Sequence, residues 1–276
     1  MARRLPAARQ ALNRNPAPGR TATPMLITTL GTSHGNHTSC RYNTATLIET
    51  GERSYLVDVG EPVVATMIRL GKDLDALKAV FITHMHGDHS GGLPMLIKML
   101  RKYPKEGKQT EVFFPDDVAD ALGEWLRAMV IQWPIEMIPT HVVRPGAIYD
   151  DGVLEVSAEP TRHLRDAGRP EVPLSFAYVL EAEGKRVVCT GDLRSDFSDF
   201  PQTARTVPCD ACVCEITHFQ PEVALPVLME CPIKQLILTH VHDPWHGEDG
   251  ERLLKEKLAD LPYPWHIAHD CDEFGV

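Results

Sequence analysis

Three histidines and an aspartate, His84, His86, Asp88 and His89, fall within six residues, directly after the apolar run Ala79-Val80-Phe81-Ile82 and Thr83. An apolar β-rich run that ends in this set and continues into Ser90-Gly91-Gly92 and a helical stretch predicts a strand opening into a loop. Imidazole and carboxylate donors suit Zn²⁺ or a similar borderline ion, and this many from one loop exceed what a single open catalytic tetrahedron needs. The surplus points to two metal ions. The competing reading is a solvated turn rich in histidine, but ordinary turn chemistry does not require these residue types.

The rest of the chain supplies a frame for such a loop. From Met25 onward, eleven short β-rich runs (MLITTL, TATLIET, SYLVDVG, AVFITH, EVFFP, EMIPTHVV, VLEVSAE, LSFAYVLE, RVVCTGD, ACVCEI and QLILTH) alternate with helical stretches at 62–70, 91–103, 116–130, 221–230 and 249–260. That order predicts a layered α/β fold. No fixed-period repeat or linker divides the chain, and its 43% apolar content suffices for one large core, so residues 25–276 are expected to form one domain. Residues 1–24 carry Arg3, Arg4, Arg9, Arg14 and Arg20 with no acidic residue, and are expected to be a disordered or non-native extension, with Met25 as an alternative start.

Composition narrows the function classes. Seven cysteines, odd in number and unevenly spread, do not suggest a disulfide framework, so a reducing, cytoplasmic setting is expected. No uninterrupted apolar run reaches the roughly 18 residues that span a bilayer, so no membrane association is expected. The formal charge of −10 argues against a broad basic surface for nucleic acid.

The set His84, His86, Asp88 and His89 resembles, position for position, the His-x-His-x-Asp-His signature of the metallo-β-lactamase superfamily of metal-dependent hydrolases. The resemblance covers residues 25–276 and implies an αββα four-layer sandwich with metals at one edge of its two sheets. It directs attention to later strand ends. His163 after VLEVSAE, Asp192 in Thr190-Gly191-Asp192 and His240 closing QLILTH match the remaining ligand positions, with His242 a second candidate for the last. The resemblance implies one ion on His84, His86, His163 and Asp192, and the other on Asp88, His89, His240 and Asp192, with a hydroxide between them. The ions implied are Zn, with Mn or Fe as alternatives. Asp58 in SYLVDVG matches an early strand-end Asp that braces the histidine loop.

The zinc β-lactamases place a cysteine where Asp192 stands, which disfavours antibiotic hydrolysis. Within the superfamily the chain is most similar to the ribonuclease Z and small-phosphodiesterase branch, through Leu30-Gly31-Thr32-Ser33-His34-Gly35 with Arg41 and Asn43, Cys214-Glu215-Ile216-Thr217-His218-Phe219, and Ile267-Ala268-His269-Asp270. Two departures stand against transfer-RNA processing. Only 28 residues separate His163 from Asp192, where the ribonucleases insert a substrate-gripping arm, and no histidine lies between His218 and His240. His218 or His242 is a substitute for the missing proton-transfer histidine, and His34 a candidate substrate contact.

Two divalent ions, two carboxylates and one hydroxide leave a charge of about +1, suited to an anionic phosphodiester. A small or nucleotide-like anionic substrate is therefore expected, with RNA less favoured and Asp88 orienting the nucleophile or passing its proton. A lactone, ester or thioester hydrolase is the alternative on the same site, and a non-catalytic metal-binding protein a minor one. Cys209-x-x-Cys212 is read as core thiols rather than half a zinc site, because no second such pair completes one. Trp125, Trp133, Met129 and Met137 suit either core or the face of a homodimer.

Overall fold

The computed structural model describes residues 25–102, 109–116, 118–164 and 173–276. The expected N-terminal extension lies outside them. In chain order the elements are β1 (Leu26–Gly31), β2 (Ala45–Thr50), β3 (Arg53–Val57), α1 (Val63–Arg69), β4 (Leu77–Phe81), α2 (Gly87–Ser90), α3 (Leu93–Lys102), β5 (Glu111–Phe114), α4 (Ala119–Ala128), β6 (Thr140–Val142), β7 (Gly146–Asp150), β8 (Glu155–Pro160), β9 (Phe176–Ala182), β10 (Lys185–Cys189), α5 (Gln202–Thr206), β11 (Ala211–Ile216), α6 (Pro221–Leu228), β12 (Leu236–Val241), α7 (Gly247–Lys257), β13 (Trp265–Ile267) and β14 (Asp272–Gly275). All eleven expected strands are present, and β7, β13 and β14 add to them. Among the described residues no helix is long and apolar enough to cross a membrane.

Two seven-stranded sheets form, ordered β14-β1-β2-β3-β4-β5-β6 and β13-β12-β11-β10-β9-β8-β7. Side-chain alternation along each strand sorts residues between two buried faces. On β9, Phe176, Tyr178 and Leu180 enter the core between the sheets, while Val179 faces the outer core that holds Ala204 of α5, Leu228 of α6 and Leu254 of α7. On β4, Ala79 and Phe81 take the inner face, and Leu77 and Val80 join Met67, Leu96 and Leu126 of α1, α3 and α4. Burial on both faces explains why these strands read as continuous apolar runs. The four layers are the αββα sandwich expected from the resemblance.

β3 through β6 run parallel, as do β10 through β13. A parallel bridge between Ser33 and Val241, with the Val241 N–H donating to the Thr32 carbonyl at 2.7 Å, ties the exit of β1 in one sheet to the exit of β12 in the other. At this edge, carboxyl ends of strands from both sheets open together. Parallel α/β sheets bind ligands at such ends.

Candidate metal centre

Each candidate residue stands where a strand leaves this edge: Asp58 after β3, the histidine loop after β4, His163 after β8, Asp192 after β10, Glu215 and His218 at the end of β11, and His240 in the last turn of β12. Two exits bend sharply, with Asp58 and His240 at φ values of 61° and 49°. Gly191, at φ 57°, is required as glycine: a Cβ there would lie 2.8 Å from the Thr83 Cβ and 2.9 Å from the Phe176 carbonyl oxygen.

Asp58, 2% exposed, organises the histidine loop. Its Oδ1 accepts from the Thr83 N–H at 2.7 Å, the Thr83 hydroxyl donates to Oδ2 at 2.8 Å, and His89 Nδ1 lies 2.7 Å from Oδ2. With Nδ1 held by the carboxylate, Nε2 is the ring atom that His89 turns toward the site. That atom points into the site, 3.2 Å from His240 Nε2 and 3.2 Å from Asp88 Oδ2.

The donors converge into two adjoining groups. In the first, His84 Nε2 and His86 Nδ1 are 3.0 Å apart, and Asp192 Oδ2 lies 3.4 Å from His84 Nε2 and 3.6 Å from His163 Nε2. In the second, Asp88 Oδ2 is 3.1 Å from His240 Nε2 beside His89. The two oxygens of Asp192 face different groups, because Oδ1 is 3.3 Å from His89 Nε2 and 3.6 Å from His240 Nε2. Ligand atoms of His84, His86, His163 and Asp192 all lie within 4.8 Å of one another, as do those of Asp88, His89 and His240; a third, overlapping set, Asp192, Glu215, His218 and His240, meets the same limit.

Burial and electrostatics test whether cations fit. Asp192 and His84 are at most 2% exposed, and His163 Nε2 and Asp192 Oδ1 have no hydrogen-bond partner. An ionised carboxylate so placed is costly unless a positive charge meets it. Burial alone would raise the Asp192 carboxyl, but the imidazoles of His240, His89 and His84 hold it well below the usual carboxylate range. Burial and the neighbouring His89 push His84 well below the ordinary histidine value, and burial lowers His163, which keeps these rings in the neutral form that binds metal. Burial would lower His89 too, yet Asp192 and Asp58 draw it well above. The carboxylates thus demand a cation in the second group, which a metal ion supplies as well as a proton does. The residues fit divalent ions.

Glu215, within the Cys214–Phe219 motif, is a further residue of the site. It is 2% exposed, and its donor set marks it as a brace: Oε1 accepts from the Leu193 N–H at 2.6 Å, and Oε2 from the N–H groups of Thr217 and His218, each at 2.9 Å. The His218 Nδ1 sits 2.9 Å from Oε2, leaving Nε2 directed toward Asp192 Oδ2 at 3.7 Å. Burial lowers His218, but the Glu215 hydrogen bond and charge prevail and raise it to about 9. The signal available in the sequence was a single carboxylate in the apolar strand ACVCEI, where a buried charge needs partners.

The remaining candidates lie outside the two groups. His34 is buried on the turn after β1, with Nδ1 accepting from the Asn36 N–H at 3.0 Å and Nε2 2.9 Å from Asp243 Oδ1. The adjacent Gly35 lies against the Asp88 carboxylate. His242 is half-buried, edge-on to His34 at 5.5 Å between ring centroids, and belongs to neither group. His37 is exposed. Cys209, Cys212 and Cys214 are buried free thiols, with burial pushing Cys209 up to about 11, as expected of core residues. Trp125 is half exposed on α4, and Trp133 packs partly buried against the core that α4 covers.

Residues 25–224 match the family described as anti-Pycsar protein Apyc1. The chain belongs to that family. Ribonuclease BN of Cronobacter sakazakii is 28% identical over 86% of this chain and 96% of its own length. Among solved structures, the metallo-beta-lactamase fold protein YhfI from Bacillus subtilis superposes with a TM-score of 0.72 at 18% identity, covering 91% of this chain and 99% of that one. The short form of human tRNase Z gives a TM-score of 0.69 at 19% identity, with coverage of 91% and 99%. This Apyc1-family chain is a metal-dependent hydrolase of the metallo-β-lactamase fold, close to ribonuclease Z. Between His163 and Asp192 the described residues include the β9–β10 hairpin, turned through Glu183 and Gly184 at φ 54° and 74°.

Proposed function

We propose that the chain is a dinuclear-metal phosphodiesterase acting on a small or nucleotide-like phosphodiester. The observation that carries this reading is the divided Asp192 carboxylate, with Oδ2 toward His84 and His163 and Oδ1 toward His89 and His240. In this reading His84, His86, His163 and Asp192 hold one ion, and Asp88, His89, His240 and Asp192 hold the other. Zn²⁺ suits these imidazole-rich sets best, with Mn²⁺ or Fe as alternatives. Two such ions, when bound, supply Lewis acidity and an activated water for in-line displacement at phosphorus.

The chain's own residues do the rest. Asp88, held well below the usual carboxylate range against the opposing effect of burial by hydrogen bonds from His240 and His89, stays ionised and would accept a hydrogen bond that orients the attacking water. His218, protonated through Glu215, directs Nε2–H into the site, where it donates to the leaving-group oxygen. Asp58 and Glu215 fix the imidazole orientations that both roles require. The neighbouring ribonuclease BN and tRNase Z bear names that denote action on RNA, which supports phosphodiester chemistry; the short connection between His163 and Asp192 favours a small substrate over a long RNA.

Turnover of bis(p-nitrophenyl) phosphate, a simple lactone and a thioester by metal-reconstituted protein tests this, with Asp192→Ala as control. The expected result is preference for the diester and no turnover by the variant. Turnover of the lactone or thioester alone contradicts the phosphodiesterase reading, and full activity of Asp192→Ala contradicts the metal assignment.

A further inference from the structure

Asp199 is outside both metal groups, yet its carboxylate joins the two segments that carry His163 and Asp192. It is 9% exposed. Oδ2 accepts from the N–H of Arg162 at 2.6 Å, and Oδ1 from the N–H of Arg194 at 2.9 Å. Arg162 immediately precedes His163, and Arg194 lies just beyond Asp192. The two segments leave the sheet from β8 and β10, which β9 separates, so no ladder hydrogen bond sets their spacing past the strand ends. The carboxylate spans that gap.

The turn presenting Asp199 is itself held firmly. Phe197 adopts a left-handed φ of 55°, donates its N–H to the Arg194 carbonyl at 2.9 Å, and packs its ring against Phe200 at 4.7 Å and Phe219 at 4.5 Å. The Asp196 carboxylate accepts from the Ser198 N–H at 3.1 Å. Downstream, Glu159 at the end of β8 accepts from the N–H groups of Gln202 at 2.7 Å and Thr203 at 3.1 Å. A fixed turn with a buried charge directed at two ligand-bearing segments is a rigid spacer.

We propose that Asp199 is a positioning residue that sets the separation of His163 and Asp192, and so completes the first metal group against His84 and His86. The proposal rests on the dinuclear reading above. Replacing one carboxylate oxygen with an amide leaves an N–H donor facing an NH₂, so one of the two segments is released. The first group holds both His163 and Asp192 and so bears the whole change in their separation, whereas the second shares only Asp192 with it and keeps His89, which Asp58 holds from the opposite sheet.

The test is a titration of Zn²⁺ into chelator-stripped full-length protein, in competition with a chromophoric chelator, for the parent, Asp199→Asn and Asp199→Ala, with thermal unfolding of each metal-free protein alongside. Partners one step removed from a metal usually matter about 10–100-fold in affinity, so the first ion is expected to weaken by that factor and the second, which shares only Asp192, by clearly less. The weakened ion should be the one lost in His86→Ala. Equal weakening of both ions with a lowered unfolding temperature would mark a merely structural residue and overturn the proposal, as would unchanged affinity for both. Fewer than two ions in the parent would contradict the dinuclear reading itself, and would be seen before any variant is made.

Discussion

At the scale of single residues, carboxylates serve the site in two ways, some facing the space for metal and others holding the imidazoles that do. Asp58 belongs to the second kind, spending its oxygens on Thr83 and His89. Asp58→Asn keeps a residue that tolerates the left-handed backbone at φ 61° but loses the charge that fixes the His89 tautomer. The expected outcome is about a 10–100-fold weaker second ion in a Zn²⁺ titration, with the fold retained by circular dichroism. Unchanged affinity would show that His89 orients without Asp58. Glu215 acts the same way on His218, whose raised value of about 9 means that its proton is present at neutral pH and lost as pH rises through that value. Glu215→Gln removes the charge that opposes burial, so the alkaline limb of the pH–rate profile should move down toward the ordinary histidine value of about 6.5. An unmoved limb would remove His218 from proton donation. The six-residue motif His84–His89 was legible because its chemistry is local. Glu215 and Asp199 were not, because their partners arrive from other strands.

At the scale of elements, strands buried on both faces were readable and those defined by their neighbours were not. β7, with all five residues intermediate or exposed, and β14, with its sequence DEFG, are edge strands whose identity comes from hydrogen bonds to β8 and β1. β13 has only three residues and pairs with β12. α5 is a five-residue polar turn, too short for periodicity to register. The inner core, by contrast, follows alternation directly, and Leu180 on β9 is fully buried in it. Leu180→Ala should cost about 2–5 kcal/mol in chemical unfolding while leaving Zn²⁺ affinity unchanged, because β9 itself carries no candidate ligand. Loss of metal affinity in parallel with stability would show that the strand exits depend on core packing more closely than this account holds.

At the scale of the molecule, two sheets bring their carboxyl edges together at the Ser33–Val241 bridge, and the seven candidate ligands come from both: His84, His86, Asp88 and His89 from one, His163, Asp192 and His240 from the other. Neither sheet alone completes either group. In the proposed dinuclear reading, metal bound there would fasten the sandwich at that edge and offset the net charge of −10 locally, where an anionic substrate would enter. The most direct test is a count of zinc per chain by elemental analysis in the reconstituted protein, in His86→Ala and in His240→Ala. The account predicts two ions in the parent and one in each variant, with a different ion lost each time and diester hydrolysis lost in both. A single ion in the parent, or a variant that keeps both ions, would contradict it.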